Sequence, residues 1–327
     1  MKTLIAGFGS VGRRHFRNLL SLGEKDIILL RSNQSTLDDS EISDYPVETE
    51  LAAALAHQPD AVVIANPTAL HLDVAIPAAK QGCHILLEKP VSNSLDRIDL
   101  LRQTAIESGS RIMVAFQYRY HPGLLQVKEW LQQDMIGQVY YFRVHCGEYL
   151  PGWHPWEDYR ESYSASKDLG GGVLLTLSHP IDYLLWLFGD VKEVSANLGR
   201  GNLLGIEVEE QIDAFLHFHD GPGGGLHLDY LQRPPEHKLE IFGSEGTICW
   251  RNDGNLRIYQ VKNKVWETIP VPDGFSRNDL FLTEMKEFLQ VVDGGTPSCS
   301  LNDGIAVQKA IMAIYDAAER GSFFSVQ

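Results

Sequence analysis

Apolar and polar positions follow two different rhythms along the chain. A short apolar run at residues 2–6 meets a glycine-rich turn at 7–12. Residues 13–22 then carry apolar side chains at helical spacing until Gly23. Apolar strands at 27–30, 61–65, 84–87 and 111–115 alternate with helical stretches at 49–57, 69–81 and 94–108, and residues 117–122 break the rhythm. Strand and helix in strict alternation predict a doubly wound parallel sheet.

Beyond residue 120 a helix at 124–134 and a strand at 139–146 lead into an aromatic-rich loop and an apolar helix at 174–188. Strands then follow at 211–219, 225–231, 238–242, 246–250 and 256–261, before helices at 278–292 and 301–319. Strands at hairpin spacing predict a mostly antiparallel sheet. Two domains are expected, residues 1–120 and residues 121–327. The later strands alternate polar and apolar side chains, and a sheet with one open face is often covered by a second copy, so a homodimer or homotetramer is expected.

Composition narrows the partners. The 327 residues include 28 basic and 43 acidic side chains, a net charge of −15, and no basic patch offsets it. A nucleic-acid backbone or an anionic membrane surface would be repelled. No apolar run reaches the roughly 18 residues a spanning helix needs, and the first residues lead straight into a strand rather than a signal peptide. Cys83, Cys146, Cys249 and Cys299 are widely separated, as suits a reducing cytoplasm rather than a disulfide or thiolate metal site.

Gly7-Phe8-Gly9-Ser10-Val11-Gly12 spells G-x-G-x-x-G between strand and helix. Such a turn lets a pyrophosphate approach the backbone at a helix N-terminus, so a dinucleotide is expected. Where an acidic residue would accept the ribose hydroxyls of NAD, the chain has Arg31 and Ser32. A guanidinium there suits a 2′-phosphate, which favours NADP over NAD; the alternative is a merely solvated strand-end charge. Glu88-Lys89-Pro90 falls at the carboxyl edge of the sheet, where Lys89 can bond a substrate oxygen.

With these residues in place the chain resembles the Gfo/Idh/MocA family, named for glucose-fructose oxidoreductase, inositol dehydrogenase and a rhizopine-catabolism protein. The shared features are the glycine turn, Asn66-Pro67 with His71, Glu88-Lys89-Pro90, Gln117-Tyr118-Arg119 before Pro122, and Gly170-Gly171-Gly172 leading to His179 and Asp182. The resemblance implies an α/β protein: an N-terminal Rossmann domain and a C-terminal α/β domain on an open, largely antiparallel sheet. It implies Lys89 as catalytic lysine and His179 as the proton-transfer residue. Asn66, Pro67, His71, Glu88 and Gln117 would line the nicotinamide half of the cofactor. The implied activity is NAD(P)-dependent oxidation or reduction of a sugar, cyclitol or nucleotide sugar. Its rivals are an NAD-assisted glycosidase without net redox and a non-catalytic regulator that binds the dinucleotide or a sugar.

One departure stands out. The aspartate that the family often has four residues before its histidine is Leu175 here, with Thr176 the nearest polar side chain upstream and a candidate substrate ligand. Asp182, three residues beyond His179, could orient the imidazole instead, or be a solvated helix residue. Pro180 cannot donate its amide to the carbonyl of Thr176, so the helix must kink or restart beside His179. The loop 149–167 gathers Trp153, His154, Trp156, Tyr159, Arg160 and Tyr163, which suit a wall for a sugar ring or an aromatic plug at an interface. His217 and His219 alternate on one strand and His227 follows on the next. Without a nearby carboxylate of obvious geometry, no metal is expected.

Overall fold

The structure, a computed structural model, describes residues 1–32, 39–199 and 201–321. Its strands are β1 (Lys2–Ala6), β2 (Asp26–Leu30), β3 (Val47–Glu48), β4 (Ala61–Ile64), β5 (His84–Glu88), β6 (Ile112–Ala115), β7 (Val139–Gly147), β8 (Val191–Leu198), β9 (Gln211–Phe218), β10 (Gly223–Asp229), β11 (Glu236–Gly243), β12 (Gly246–Arg251), β13 (Leu256–Gln260) and β14 (Val265–Ile269). Its helices are α1 (Ser10–Ser21), α2 (Leu51–Ala56), α3 (His71–Lys80), α4 (Ile98–Ser108), α5 (Pro122–Gln132), α6 (Val173–Thr176), α7 (His179–Phe188), α8 (Arg277–Val292) and α9 (Leu301–Arg320). They fold as two compact units.

The first unit joins Met1–Gln117 to Ser276–Ile305. Its six strands run in the order β3-β2-β1-β4-β5-β6, every pair parallel. β4 and β6 are buried along their whole length, the mark of a sheet covered on both faces. The order reverses between β1 and β4, and in such sheets ligands sit beyond the carboxyl ends of the strands at that point. A contiguous second domain from residue 121 misses the return of α8 to this unit. α8 starts at a capping box of Ser276 and Asp279 and buries Leu280, Phe281, Met285, Phe288 and Val291. Each such side chain contributes about 1.5–3 kcal/mol when fully buried. Against α1 it places Asn278 3.0 Å from Asn18 and the Phe281 ring 4.3 Å from the Arg14 guanidinium.

The second unit, Tyr118–Phe275 with the residues from Ala306, holds eight strands in the order β14-β13-β12-β11-β7-β10-β9-β8. All neighbours are antiparallel except β7 and β10. Hairpin spacing alone would pair β10 with β11, yet β7 lies between them and bonds to both. β8 and β14 escape the sequence pattern: β14 is exposed at every position and β8 is only partly buried, so neither shows a clear apolar alternation. On β9 every second residue is buried, leaving Asp213, Phe215 and His217 on an outer face.

His121 shows how a polar side chain can serve this core. It caps α5, its Nδ1 accepting the Gly123 N–H at 3.0 Å and the Trp250 indole N–H at 3.3 Å. Both bonds need an unprotonated nitrogen, and burial pushes the pKa down to about 4. An unfolded histidine titrates near 6.5, so between those values the unfolded chain binds the extra proton. The stability that neutral His121 contributes is therefore complete above about pH 6.5 and lost as pH falls toward 4. In His121→Asn an acceptor is kept and the titration removed. Between pH 7 and 4 this variant should lose less unfolding free energy than the native chain, by on the order of 2–3 kcal/mol in urea titrations. Identical pH slopes for the two proteins would contradict this.

Candidate functional site

In the first unit the glycine turn divides into two kinds of position. Gly7 has φ +95°, and a Cβ on it would stand 2.5 Å from the amide of Asn66; a Cβ on Gly12 would stand 2.1 Å from the carbonyl of Gly7. The fold itself therefore demands both glycines. Gly9 differs: its φ is −80° and a Cβ there meets nothing within 4 Å. Gly9 is also the N-cap of α1, which has no side-chain cap and no acidic residue in its first turn. A bare helix N-terminus above a side-chain-free cradle fits a pyrophosphate. Ser10 is exposed and Val11 half-buried, whereas Phe8 is turned into the core against Phe16, so only its backbone can face a cofactor.

Arg31 is not the solvated strand-end charge considered above. It is buried, its Nη1 lies 2.7 Å from Asp39, and Asp39 also receives Arg13 Nη2 at 3.0 Å. The Arg31 guanidinium beside it, with Arg13, holds the Asp39 carboxyl below its usual range. A 2′-phosphate would have to share or displace that carboxylate. Ser32 is exposed.

At the ends of β4 and β5 the expected nicotinamide-side residues brace one another. The His71 ring is buried between two carbonyls, Nδ1 at 2.9 Å from Pro90 O and Nε2 at 3.1 Å from Asn66 O. Burial pushes its pKa down, against the pull of Glu88. With its charged form disfavoured the ring donates to one of these carbonyls and packs against the other, beside the Asn66-Pro67 and Lys89-Pro90 turns. Glu88 is buried, with Oε1 2.7 Å from His15 Nε2. Burial pushes its carboxyl pKa up, but the His15 ring and the Lys89 ammonium pull it further down, so it stays ionised. Lys89 follows, half-buried, and Gln117 is buried just past β6.

In the second unit the helix does restart where Pro180 requires: α6 ends at Thr176 and α7 begins at His179. The Tyr118 ring packs 4.9 Å from the His179 ring and 5.0 Å from that of His237, whose Nε2 lies 3.2 Å from the Tyr183 hydroxyl. Asp182 was expected either to orient His179 or to be solvated. It is not solvated: it is fully buried and takes Arg119 in a bidentate grip, Nη2 at 2.7 Å and Nε at 3.1 Å from both oxygens. Breaking such a buried pair on one side costs about 3–5 kcal/mol. Asp182 is therefore a positioning residue that ties α7 to the segment bearing Tyr118. Sequence spacing could not reveal a partner 63 residues away.

Thr176, an expected substrate ligand, is buried in α6. Glu209, unforeseen from sequence, caps α6 by accepting the Leu174 N–H at 3.0 Å and binds the Tyr315 hydroxyl at 2.7 Å. The aromatic loop is split in its duties. Trp153 packs edge-on against Tyr230, Tyr159 donates to Leu204 O at 2.8 Å, and Arg160 is held by Asp158. Trp156 and Tyr163 remain exposed, Trp156 with the His154 ring 5.0 Å away. Of the histidines considered together for a metal, His217 faces Glu193, while His227 lies between Asp213 and Asp229, carboxylates not anticipated from sequence.

Two family models match the chain: "Oxidoreductase family, NAD-binding Rossmann fold" over residues 1–116 and "GFO/IDH/MocA C-terminal domain" over residues 124–249. Levoglucosan dehydrogenase of Pseudarthrobacter phenanthrenivorans is 24% identical over 312 residues, covering 81% of this chain and 79% of that protein. The 2,7-anhydro-N-acetylneuraminate hydratase of Mediterraneibacter gnavus is 26% identical over 259 residues, covering 76% and 67%. Among solved structures, a levoglucosan dehydrogenase in complex with NADH superposes with a TM-score of 0.86 at 21% identity, covering 98% of this chain and 97% of the other. With both of its compact units matched and the strand-end motifs in place, the chain belongs to the Gfo/Idh/MocA family of oxidoreductases.

Proposed function

We propose that the chain moves a hydride between a nicotinamide dinucleotide and a ring carbon of a sugar, cyclitol or nucleotide sugar, interconverting a secondary alcohol and a ketone. The observation that carries this reading is Gly9, a glycine for which the fold has no need and a bound pyrophosphate does. The nicotinamide, when bound, accepts or supplies the hydride. The chain's own residues handle the rest. The Lys89 ammonium holds the substrate oxygen and steadies the negative charge that grows on it as its proton leaves. A neutral His179 imidazole takes that proton as general base and returns it in the reverse direction. Glu88, ionised and fixed by His15, keeps the turn that presents Lys89 in one conformation. Trp156 and Tyr163 offer faces for a sugar ring. Assembly as a homodimer or homotetramer belongs to the same proposal, supported by exposed Phe215 on the outer sheet face.

A second reading keeps the same residues but makes the oxidation transient, as in a glycosidase or a hydratase that returns the hydride before product leaves. It is supported by the relative named as a hydratase. A panel of sugars incubated with NAD⁺ and NADP⁺, read at the absorbance of the reduced cofactor, separates the two. Net reduction is expected, and Lys89→Met should lower turnover by about 100-fold or more while binding NADH within a few-fold of native, since one electrostatic donor is worth about 10²–10³ in rate. Turnover surviving within a few-fold would remove Lys89 from the chemistry. Product without net reduction would favour the second reading.

The choice between NAD and NADP should rest on the pair of Arg31 and Asp39. Removing the carboxylate in Asp39→Ala releases a buried guanidinium for a 2′-phosphate. A charge-assisted contact of about 1.5–3 kcal/mol should then shift the NADPH to NADH affinity ratio about tenfold or more toward NADPH. An unchanged ratio in titration calorimetry would show that Arg31 does not read the ribose.

A further inference from the structure

The outer face of the eight-stranded sheet carries a side-chain cluster that the proposed reaction does not use. His145 on β7 and His227 on β10 are direct neighbours in the parallel ladder, their rings stacked at 4.7 Å between centroids. Asp229, two residues along β10 from His227, rises on the same side of the strand. His227 Nε2 lies 3.1 Å from Asp229 Oδ2, and His145 Nε2 lies 3.9 Å from the same oxygen and 3.2 Å from Gln232 Oε1. One donor atom from each of His145, His227 and Asp229 falls within 4.8 Å of the others. A tetrahedral zinc ion with bonds of about 2.0–2.1 Å holds its ligand atoms roughly 3.4 Å apart. The observed separations bracket that value.

We propose that His145, His227 and Asp229, with Gln232 as fourth donor, form a zinc-binding site on this face. Two features beyond the donors themselves support it. His227 Nδ1 lies 2.6 Å from Asp213 Oδ1, so with a metal bound its N–H would donate to that carboxylate and leave the Nε2 lone pair for the ion. An imidazole oriented by an outer carboxylate is the usual support of a zinc-bound histidine. Asp229 is oriented as well: its Oδ1 accepts the Leu231 N–H at 2.6 Å, which leaves Oδ2 for the metal. The neighbouring cations do not oppose binding, because Arg143 and Lys238 are both held by Glu240, at 2.9 and 2.8 Å. Two imidazoles, a carboxylate and an amide oxygen make a borderline donor set that suits zinc better than calcium or magnesium.

Four protein donors close the coordination sphere, so the ion would be structural. It would clamp β7 to β10, the one parallel pair among the described strands of this sheet, and pin the turn from Asp229 to Gln232. Zinc would replace the protons now shared among these groups, and its binding free energy would add to stability. The site uses this chain's side chains alone and does not depend on the proposed oxidoreductase activity. It borders a groove of about 900 Å³ on the sheet face.

The test is a titration of the chelator-treated full chain with zinc chloride against a chromophoric zinc indicator, alongside thermal unfolding with and without zinc. One zinc per chain and a raised unfolding midpoint are expected. His145→Ala and His227→Ala should each weaken binding by about 100-fold, and Asp213→Asn by about tenfold, since outer partners are worth about 10–100-fold. His145 is part-exposed, so its variant should fold normally and its unfolding midpoint without zinc should match native. His217→Ala, on the same face but bonded to Glu193, should bind as the native chain does. Failure of the native chain to take up zinc, or His145→Ala retaining native affinity, would overturn the proposal.

Discussion

Everything on the dinucleotide side depends on how closely backbone approaches backbone at the end of β1. With 2.1 Å between a Cβ on Gly12 and the Gly7 carbonyl, and 2.5 Å between a Cβ on Gly7 and the Asn66 amide, no side chain fits at either glycine. That closeness sets α1 directly on β1 and β4 and leaves its N-terminal amides bare at the switch point of the sheet. It also brings Phe8 into the core and lets His15, in the second turn of α1, reach Glu88 at the end of β5.

Around that turn, buried polar groups do the positioning that loops alone could not. His71 is buried between carbonyls of two strand-end turns, His15 holds Glu88, and in the second unit Arg119 grips Asp182 while Tyr118 packs on His179. Each is costly to leave half-made, because a buried charge or donor without its partner loses its hydration for nothing. Networks of this kind favour one arrangement over many, and reactive groups such as Lys89 and His179 are carried on segments so constrained. The residues that chemistry needs and those that hold them are therefore adjacent in the chain: Glu88 beside Lys89, Tyr118 beside Arg119.

Local pattern carried much of this fold. The parallel sheet was legible because β4, β5 and β6 are apolar runs bounded by helices with glycine stops, and the restart at His179 was legible because proline lacks an N–H. Long-range partners were not. The insertion of β7 between β10 and β11, the return of α8 to the first unit and the hold of Arg119 on Asp182 all join residues far apart in sequence, where spacing is silent. β14 was missed because its exposed face imposes no apolar alternation. Of the site, the glycine turn and the Glu88-Lys89-Pro90 segment could be read from the chain, while the supporting roles of His71 and Asp182 emerged only from their contacts.

The central claim is that the turn at Gly9 is kept free for a dinucleotide. Titrating NADH into the native chain and into Gly9→Val, by quenching of tryptophan fluorescence, tests it directly. A valine at φ −80° is unstrained and its Cβ meets nothing within 4 Å, so the variant should unfold at the native midpoint yet bind NADH at least about 100-fold more weakly, some 2.7 kcal/mol. Native affinity in a folded Gly9→Val chain would contradict the account, for it would place the dinucleotide somewhere other than this turn.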